Sequence, residues 1–142
     1  MRDRVRDRLF LDTNVLLRFF LDDIPHQSAA AARLMGRVVT GDVVVVISST
    51  VLLEVVYVLE KRRHLPRLEI RQKLMTLIEL SSVELDERGL YVEVFRRYVE
   101  RSSLSFADCY HIVLARKLAG GCLVTFDRVA GRSEGIEWIE PT

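Results

Sequence analysis

The chain alternates short β-branched, apolar runs with longer stretches whose apolar positions recur at helical spacing. Residues 9–11 read as a short buried strand. Residues 14–21 place Val15, Leu16, Phe19 and Phe20 on one helical face, and Asp22-Asp23-Ile24-Pro25 ends that helix. Residues 28–39 are Ala-rich and helical, with Leu34, Met35, Val38 and Val39 expected inward. Gly41-Asp42 turns the chain into residues 43–47, a Val and Ile run expected for a strand buried on both faces. Ser48-Ser49-Thr50 offers N-cap choices for a helix over 50–62. Pro66 opens a helix to about residue 80, residues 83–85 suit a strand, and residues 87–101 are helical. A helix over 105–119 is stopped by Gly120-Gly121, and strands follow at 122–125 and 136–139.

Strands separated by helices predict parallel pairing with helices on both faces, an α/β fold. The expectation is a three-layer α/β/α domain around a central, mainly parallel sheet, with ligands bound beyond the carboxyl ends of the strands. Length agrees: 142 residues suffice for one core, and the whole of 1–142 is expected to form a single domain. At 49% hydrophobic and 29% charged, with a net charge of +1, the chain is neither a disordered segment nor a uniformly basic nucleic-acid coat. Arg greatly outnumbers Lys, which suits phosphate binding but equally follows from a compositional bias. Cys109 and Cys122 form no CxxC or Cys/His metal spacing and read as small core hydrophobes. The mixed-charge start, MRDRVRDRLFLD, is unlike a secretory signal. No apolar run approaches the ~18 residues of a membrane span. A soluble, cytoplasmic protein without a membrane partner is therefore expected.

Four acids fall where an α/β sheet is expected to bind its ligand. Asp12 directly follows the first strand, and Asp127 lies just past the 122–125 strand. Asp108 sits in the first turn of its helix, and Glu54 in the helix after the 43–47 strand. At helical spacing Glu54 borders the apolar face formed by Val51, Leu52, Val55, Val58 and Leu59, where a half-tucked carboxylate is costly unless compensated. The Asp108 helix is apolar on most sides, so an acid there is also poorly placed for free solvation. Each acid has an ordinary explanation as well. Asp12 can cap a helix, Asp108 can complete a capping box with Ser105, Asp127 can be a turn residue, and Glu54 can pair with Lys61 or with a neighbouring Arg. Four such coincidences at one sheet edge favour the joint reading. Carboxylates that converge need a cation to remain ionised together. Hard oxygen donors select Mg²⁺ or Mn²⁺, and such ions support phosphodiester hydrolysis without a Ser or His nucleophile.

On these residues the chain resembles the PIN-domain ribonucleases, and in particular the VapC-like toxins of prokaryotic toxin–antitoxin pairs. The segments that carry the resemblance are LFLDTNVLLRFF, VVISSTVLLEVVYVLEKR, LSFADCYHIVLARKLAGGCLVTFDR and GIEWIEP. The resemblance implies an acidic Mg²⁺ or Mn²⁺ site of Asp12, Glu54, Asp108 and Asp127, with Asp12 and Asp108 the foremost ligands. It implies supporting roles for Asn14 beside the first acid and Thr125 two residues before the last. It further implies cleavage of single-stranded or structured RNA, a homodimer, and a cognate antitoxin that wraps the toxin and blocks the cleft. One departure is that Ala130 stands where the family usually has a bulky apolar residue after the last acid.

Other features weigh less. Lys61-Arg62-Arg63, with Arg67, Arg71 and Lys73 beyond, can track an RNA backbone, although cations also suit a helix C-terminus. Arg2, Arg4, Arg6 and Arg8 alternate at the start of the first strand. His26, His64 and His111 are scattered, Trp138 reads as packing, and Tyr57 and Tyr110 can stack on bases but fit apolar helix faces. The apolar cluster Leu17, Phe19, Phe20 and Leu21 suits an oligomer contact. A haloacid-dehalogenase-type phosphatase needs a second Asp where Asn14 stands. A catalytically inactive PIN-like module for protein or RNA binding is the remaining alternative, and the presence of all four acids argues against it. A DNA-binding regulator lacks a recognisable helix-turn-helix.

Overall fold

The computed structural model describes residues 8–142; Arg2, Arg4 and Arg6, whose alternation was noted above, lie outside the described residues. The elements alternate in an α/β order. They are β1 (Arg8–Phe10), α1 (Thr13–Leu21), α2 (Pro25–Thr40), β2 (Val44–Ile47), α3 (Ser49–Tyr57), α4 (Arg67–Ile78), β3 (Val83–Leu85), α5 (Tyr91–Glu100), α6 (Phe106–Leu118), β4 (Cys122–Val124), α7 (Arg128–Gly131) and β5 (Glu137–Ile139). A π-helical segment, Val58–Arg62, continues α3. The chain divides into two compact units, one ending at Arg88 and the other Gly89–Thr142.

In the first unit the strands form a parallel sheet in the order β1-β2-β3, with Leu9 opposite Val45 and Val45 opposite Val83. The second unit carries a parallel β4-β5 pair, with Leu123 opposite Trp138. Every pairing among the described residues is thus parallel, as the strand–helix alternation requires, and the strands hydrogen-bond as two sheets.

Local chemistry accounts for the helix ends. Ser48 accepts from the Val51 amide at 3.1 Å and starts α3 one residue before the expected range. Pro25 occupies the first turn of α2, where its missing N–H costs nothing. Gly41 ends that helix at φ 83°, a left-handed position that suits glycine. Glu87 also takes a left-handed backbone, φ 59°, so helical backbone begins only at Arg88, with a 3-10 turn over Arg88–Leu90 that leads into α5.

The core of the first unit is built from Leu16, Val38, Val45, Leu52, Leu59, Ile70, Leu74 and Val83, all fully buried. In the second unit Phe95, Tyr98 and Phe106 pack ring on ring, with Phe106 at 4.9 Å from Phe95 and 5.3 Å from Tyr98. Three burial expectations are corrected. The β1 strand is exposed at all three positions, and burial begins only at Leu11. Val39 points outward, because it falls one residue off the inward row of Ala31, Met35 and Val38. In the 43–47 run Val43, Val45 and Ile47 are buried while Val44 and Val46 are half-buried, the alternation of a strand with one fully covered face.

Candidate active site

The turn after β1 places Asp12 at the N-cap of α1, where Oδ1 accepts from the Thr13 amide at 2.8 Å. The next residue, Thr13, is 9% exposed. Its hydroxyl donates to Glu54 Oε2 at 2.5 Å, which ties α1 to α3 across 41 residues of sequence. Asp12, Thr13, Asn14 and Glu54 line one cavity of about 500 Å³ in the first unit. The structure therefore brings together two of the four expected acids and the expected supporting Asn14, and it adds Thr13. The sequence offered little sign of Thr13 beyond its place after Asp12, since the partner that explains it lies on another helix.

Glu54 requires a correction. Its side chain is exposed, not half-tucked, and its partner is the Thr13 hydroxyl, not Lys61. The outward position follows from the helix itself: Val51, Leu52, Val55 and Val56 occupy the buried arc. An exposed Glu54 carboxylate carries no burial cost that a cation would have to offset. The case for this residue rests on its shared cavity with Asp12.

In the second unit Asp108 is half-buried at the third position of α6. It forms the capping box: Ser105 Oγ accepts from the Asp108 amide at 3.1 Å, and Asp108 Oδ2 accepts from the Ser105 amide at 3.0 Å. Asp127 caps α7, with Oδ1 accepting from the Val129 amide at 2.8 Å and the Ala130 amide at 3.3 Å. Thr125 Oγ1 accepts from the Asp127 amide at 3.0 Å and shapes the turn that presents the acid. Ala130, at the family departure, is buried, and the neighbouring Gly131 lies so close to Trp138 that a Cβ there would meet its ring at 2.4 Å. The indole thus packs beside this turn and donates from Nε1 to the Thr125 carbonyl at 2.8 Å.

The capping roles and a ligand role are compatible. An ionised carboxylate offers about four lone-pair sites over two oxygens. The caps engage Oδ1 of Asp12, Oδ2 of Asp108 and Oδ1 of Asp127, one oxygen of each group. The cap of each leaves its other oxygen unused, and each carboxylate is a hard oxygen donor of the kind that suits Mg²⁺ or Mn²⁺. Within neither unit do three His, Cys, Asp or Glu side chains gather closely enough to hold a metal ion by themselves, among the described residues.

The remaining candidates take ordinary places. Lys61, Arg62 and Arg63 are exposed. Arg63 pairs with Asp23 at 2.5 Å and Lys61 with Glu60 at 3.5 Å, so part of that basic segment is neutralised. His26, His64 and His111 are exposed, and Tyr110 stacks on Tyr91 with ring centroids 5.9 Å apart. Cys109 is buried as expected, but Cys122 is exposed. Its thiol lies 3.4 Å from Glu137 Oε2, and that hydrogen bond and charge push the thiol pKa up.

The fold is α/β with parallel strands; Asp12 and Asp127 stand on the turns after β1 and β4, and Asp108 stands in the first turn of α6, which follows α5. The family model of the PIN domain matches residues 9–133, and the chain belongs to that family, whose members are in general nucleases that use divalent metal ions. No curated protein matches the chain. No helix among the described residues is long and apolar enough to cross a membrane.

Proposed function

We infer that the protein is a metal-dependent endoribonuclease, the toxin of a toxin–antitoxin pair, which hydrolyses phosphodiester bonds of single-stranded or structured RNA. The observation that carries this reading is the shared cavity of Asp12 and Glu54, linked through the Thr13 hydroxyl just past the end of β1. In the proposed assignment Asp12, Glu54, Asp108 and Asp127 hold Mg²⁺ or Mn²⁺, with Asp12 and Asp108 the principal ligands. When bound, such an ion lowers the pKa of water and stabilises charge on phosphate oxygens. Thr13 fixes the direction of the Glu54 carboxylate, and the Asp12 cap fixes the Asp12 carboxylate at the start of a helix. Both acids thereby face the ligand with little reorganisation. In the reaction the oxygen of water forms a bond to phosphorus, the bond to the leaving ribose oxygen breaks, and that oxygen takes up a proton.

The toxin assignment draws on the segments around these acids. It entails action on cytoplasmic RNA, a homodimer, and a cognate antitoxin that closes the acidic cleft. The test is cleavage of RNA by the purified protein with Mg²⁺ or Mn²⁺, run beside EDTA and Asp12→Asn controls. Cleavage that needs the metal and Asp12 supports the reading. Equal cleavage by the variant, or cleavage indifferent to EDTA, overturns it. For the toxin role, induced expression should arrest growth of the host cell, and co-expression of a small neighbouring gene should relieve the arrest.

A further inference from the structure

The cavity that Asp12 and Glu54 line has a chemically different part to its lining as well, the side chains of Leu17, Leu53, Tyr57 and Val58. Tyr57 is the last residue of α3, three positions after Glu54, so the two side chains stand on neighbouring parts of the helix surface. The ring is 56% exposed. Its expected place on an apolar helix face is therefore not the one it takes. Val51, Leu52, Val55 and Val56 fill that face, and Tyr57 is left at the cavity instead. Immediately after it the helix widens into the π-helical segment Val58–Arg62. Such segments are rare and recur at functional sites.

We propose that Tyr57, with Leu53 and Val58 beside it, is a stacking shelf for one unpaired nucleobase next to the bond that is cut, and that it selects single-stranded RNA. This rests on the ribonuclease reading and adds to it the part of the substrate that these side chains recognise. A nucleotide has two chemically distinct ends, a charged phosphate and a flat aromatic base. The cavity lining offers a partner for each, carboxylates suited to a phosphate-bound cation and an aromatic ring with aliphatic neighbours. Its volume, about 500 Å³, lies within the range of small-ligand sites. Stacking uses the face of a base, which every base possesses, so the shelf favours no particular base. A base inside a duplex has both faces covered by its neighbours and cannot use the shelf without being unstacked.

The experiment compares kcat/KM of wild type, Tyr57→Phe and Tyr57→Ala on a single-stranded RNA, on the same sequence in a duplex, and on single strands carrying one abasic nucleotide at successive positions around the cut. Tyr57→Phe keeps the ring and should remain within about twofold of wild type. Tyr57→Ala should lose roughly 5- to 150-fold on the single strand, the factor that one base stack is worth, with the loss in KM. Its activity on the duplex should be unchanged, so its preference for single strands should collapse. One abasic position should impair wild type by a similar factor and leave Tyr57→Ala unaffected. Thermal melting serves as the folding control, since truncation of an exposed ring should leave it unchanged. If wild type cleaves RNA and Tyr57→Ala cleaves it equally well, or if every abasic position penalises both proteins alike, the shelf is wrong while the nuclease reading stands. If wild type cleaves no RNA, both fall.

Discussion

Asp12, Asp108 and Asp127 each hold the start of a helix, and each uses one carboxylate oxygen to do so. In the proposed assignment a capping aspartate is also a ligating one, and a substitution can separate the two roles. Asparagine caps a helix as well as aspartate does, since its amide oxygen accepts the same backbone N–H. It lacks the negative charge a cation needs. Asp12→Asn should accordingly keep the stability of wild type to within about 0.5 kcal/mol in urea unfolding without metal. Its RNA cleavage should fall by at least the roughly 10–100-fold that loss of a ligand's supporting partner costs. Asp12→Ala should lose the cap as well and unfold about 1 kcal/mol more easily. Equal stability of Asp12→Ala and wild type would show that the cap contributes nothing. Undiminished cleavage by Asp12→Asn would remove the residue from the metal site.

At the scale of elements, α5 is held to its surroundings by a charge network. Glu93 accepts from Arg96 at 2.7 and 2.9 Å and from Arg97 at 2.9 Å, and Arg97, 4% exposed, also donates to the Glu134 carbonyl at 2.7 Å. Hydrogen bonds from Arg96 first, and then from Arg97, hold the Glu93 carboxyl at about 2, below its ordinary 4.5. A depressed carboxylate pKa stabilises the fold fully above the unfolded value, and the contribution is lost as pH falls toward the folded one. Wild type should therefore lose stability between pH 4.5 and about 2 more steeply than Glu93→Gln, by urea midpoints measured across that window. At pH 7 the variant should already be weaker by about 1–3 kcal/mol, because Arg97 keeps its burial and loses an ionic partner. Parallel urea profiles for the two proteins would exclude this linkage. The network was not legible in the sequence, because Glu93, Arg96 and Arg97 looked like an ordinary charged helix surface. Other element features were legible where the cause is local. The strand–helix order, the Ser105 and Asp108 capping box and the stop after α2 depend on neighbours within a few residues. The exposure of β1, the outward turn of Glu54, the π-helical segment after Tyr57 and the Thr13–Glu54 bond depend on what packs against each element. Periodicity alone does not carry that information.

For the whole molecule, a net charge of +1 conceals the local arrangement: three aspartates at helix starts, two of them just after strands, and many arginines paired elsewhere with Asp23, Glu60, Glu93 and Glu100. Asp12 and Glu54 belong to the first compact unit, Asp108 and Asp127 to the second. A cation bound by the folded chain and not by the unfolded one raises stability by RT ln(1 + [L]/Kd), about 2.7 kcal/mol at a free-ion concentration of 100 Kd. For a chain of this length that corresponds to a rise in Tm of roughly 5–15 °C. Mn²⁺ or Mg²⁺ should produce such a rise in wild type, and EDTA should reverse it. The decisive comparison is between single variants of the two units. In the proposed assignment the ion draws ligands from both, so Asp12→Asn and Asp108→Asn should each abolish the rise. If Asp108→Asn and Asp127→Asn both keep the full rise while Asp12→Asn loses it, the first unit alone holds the ion. The second unit's acids are then caps and nothing more, and the four-acid assignment reduces to the Asp12 and Glu54 cavity.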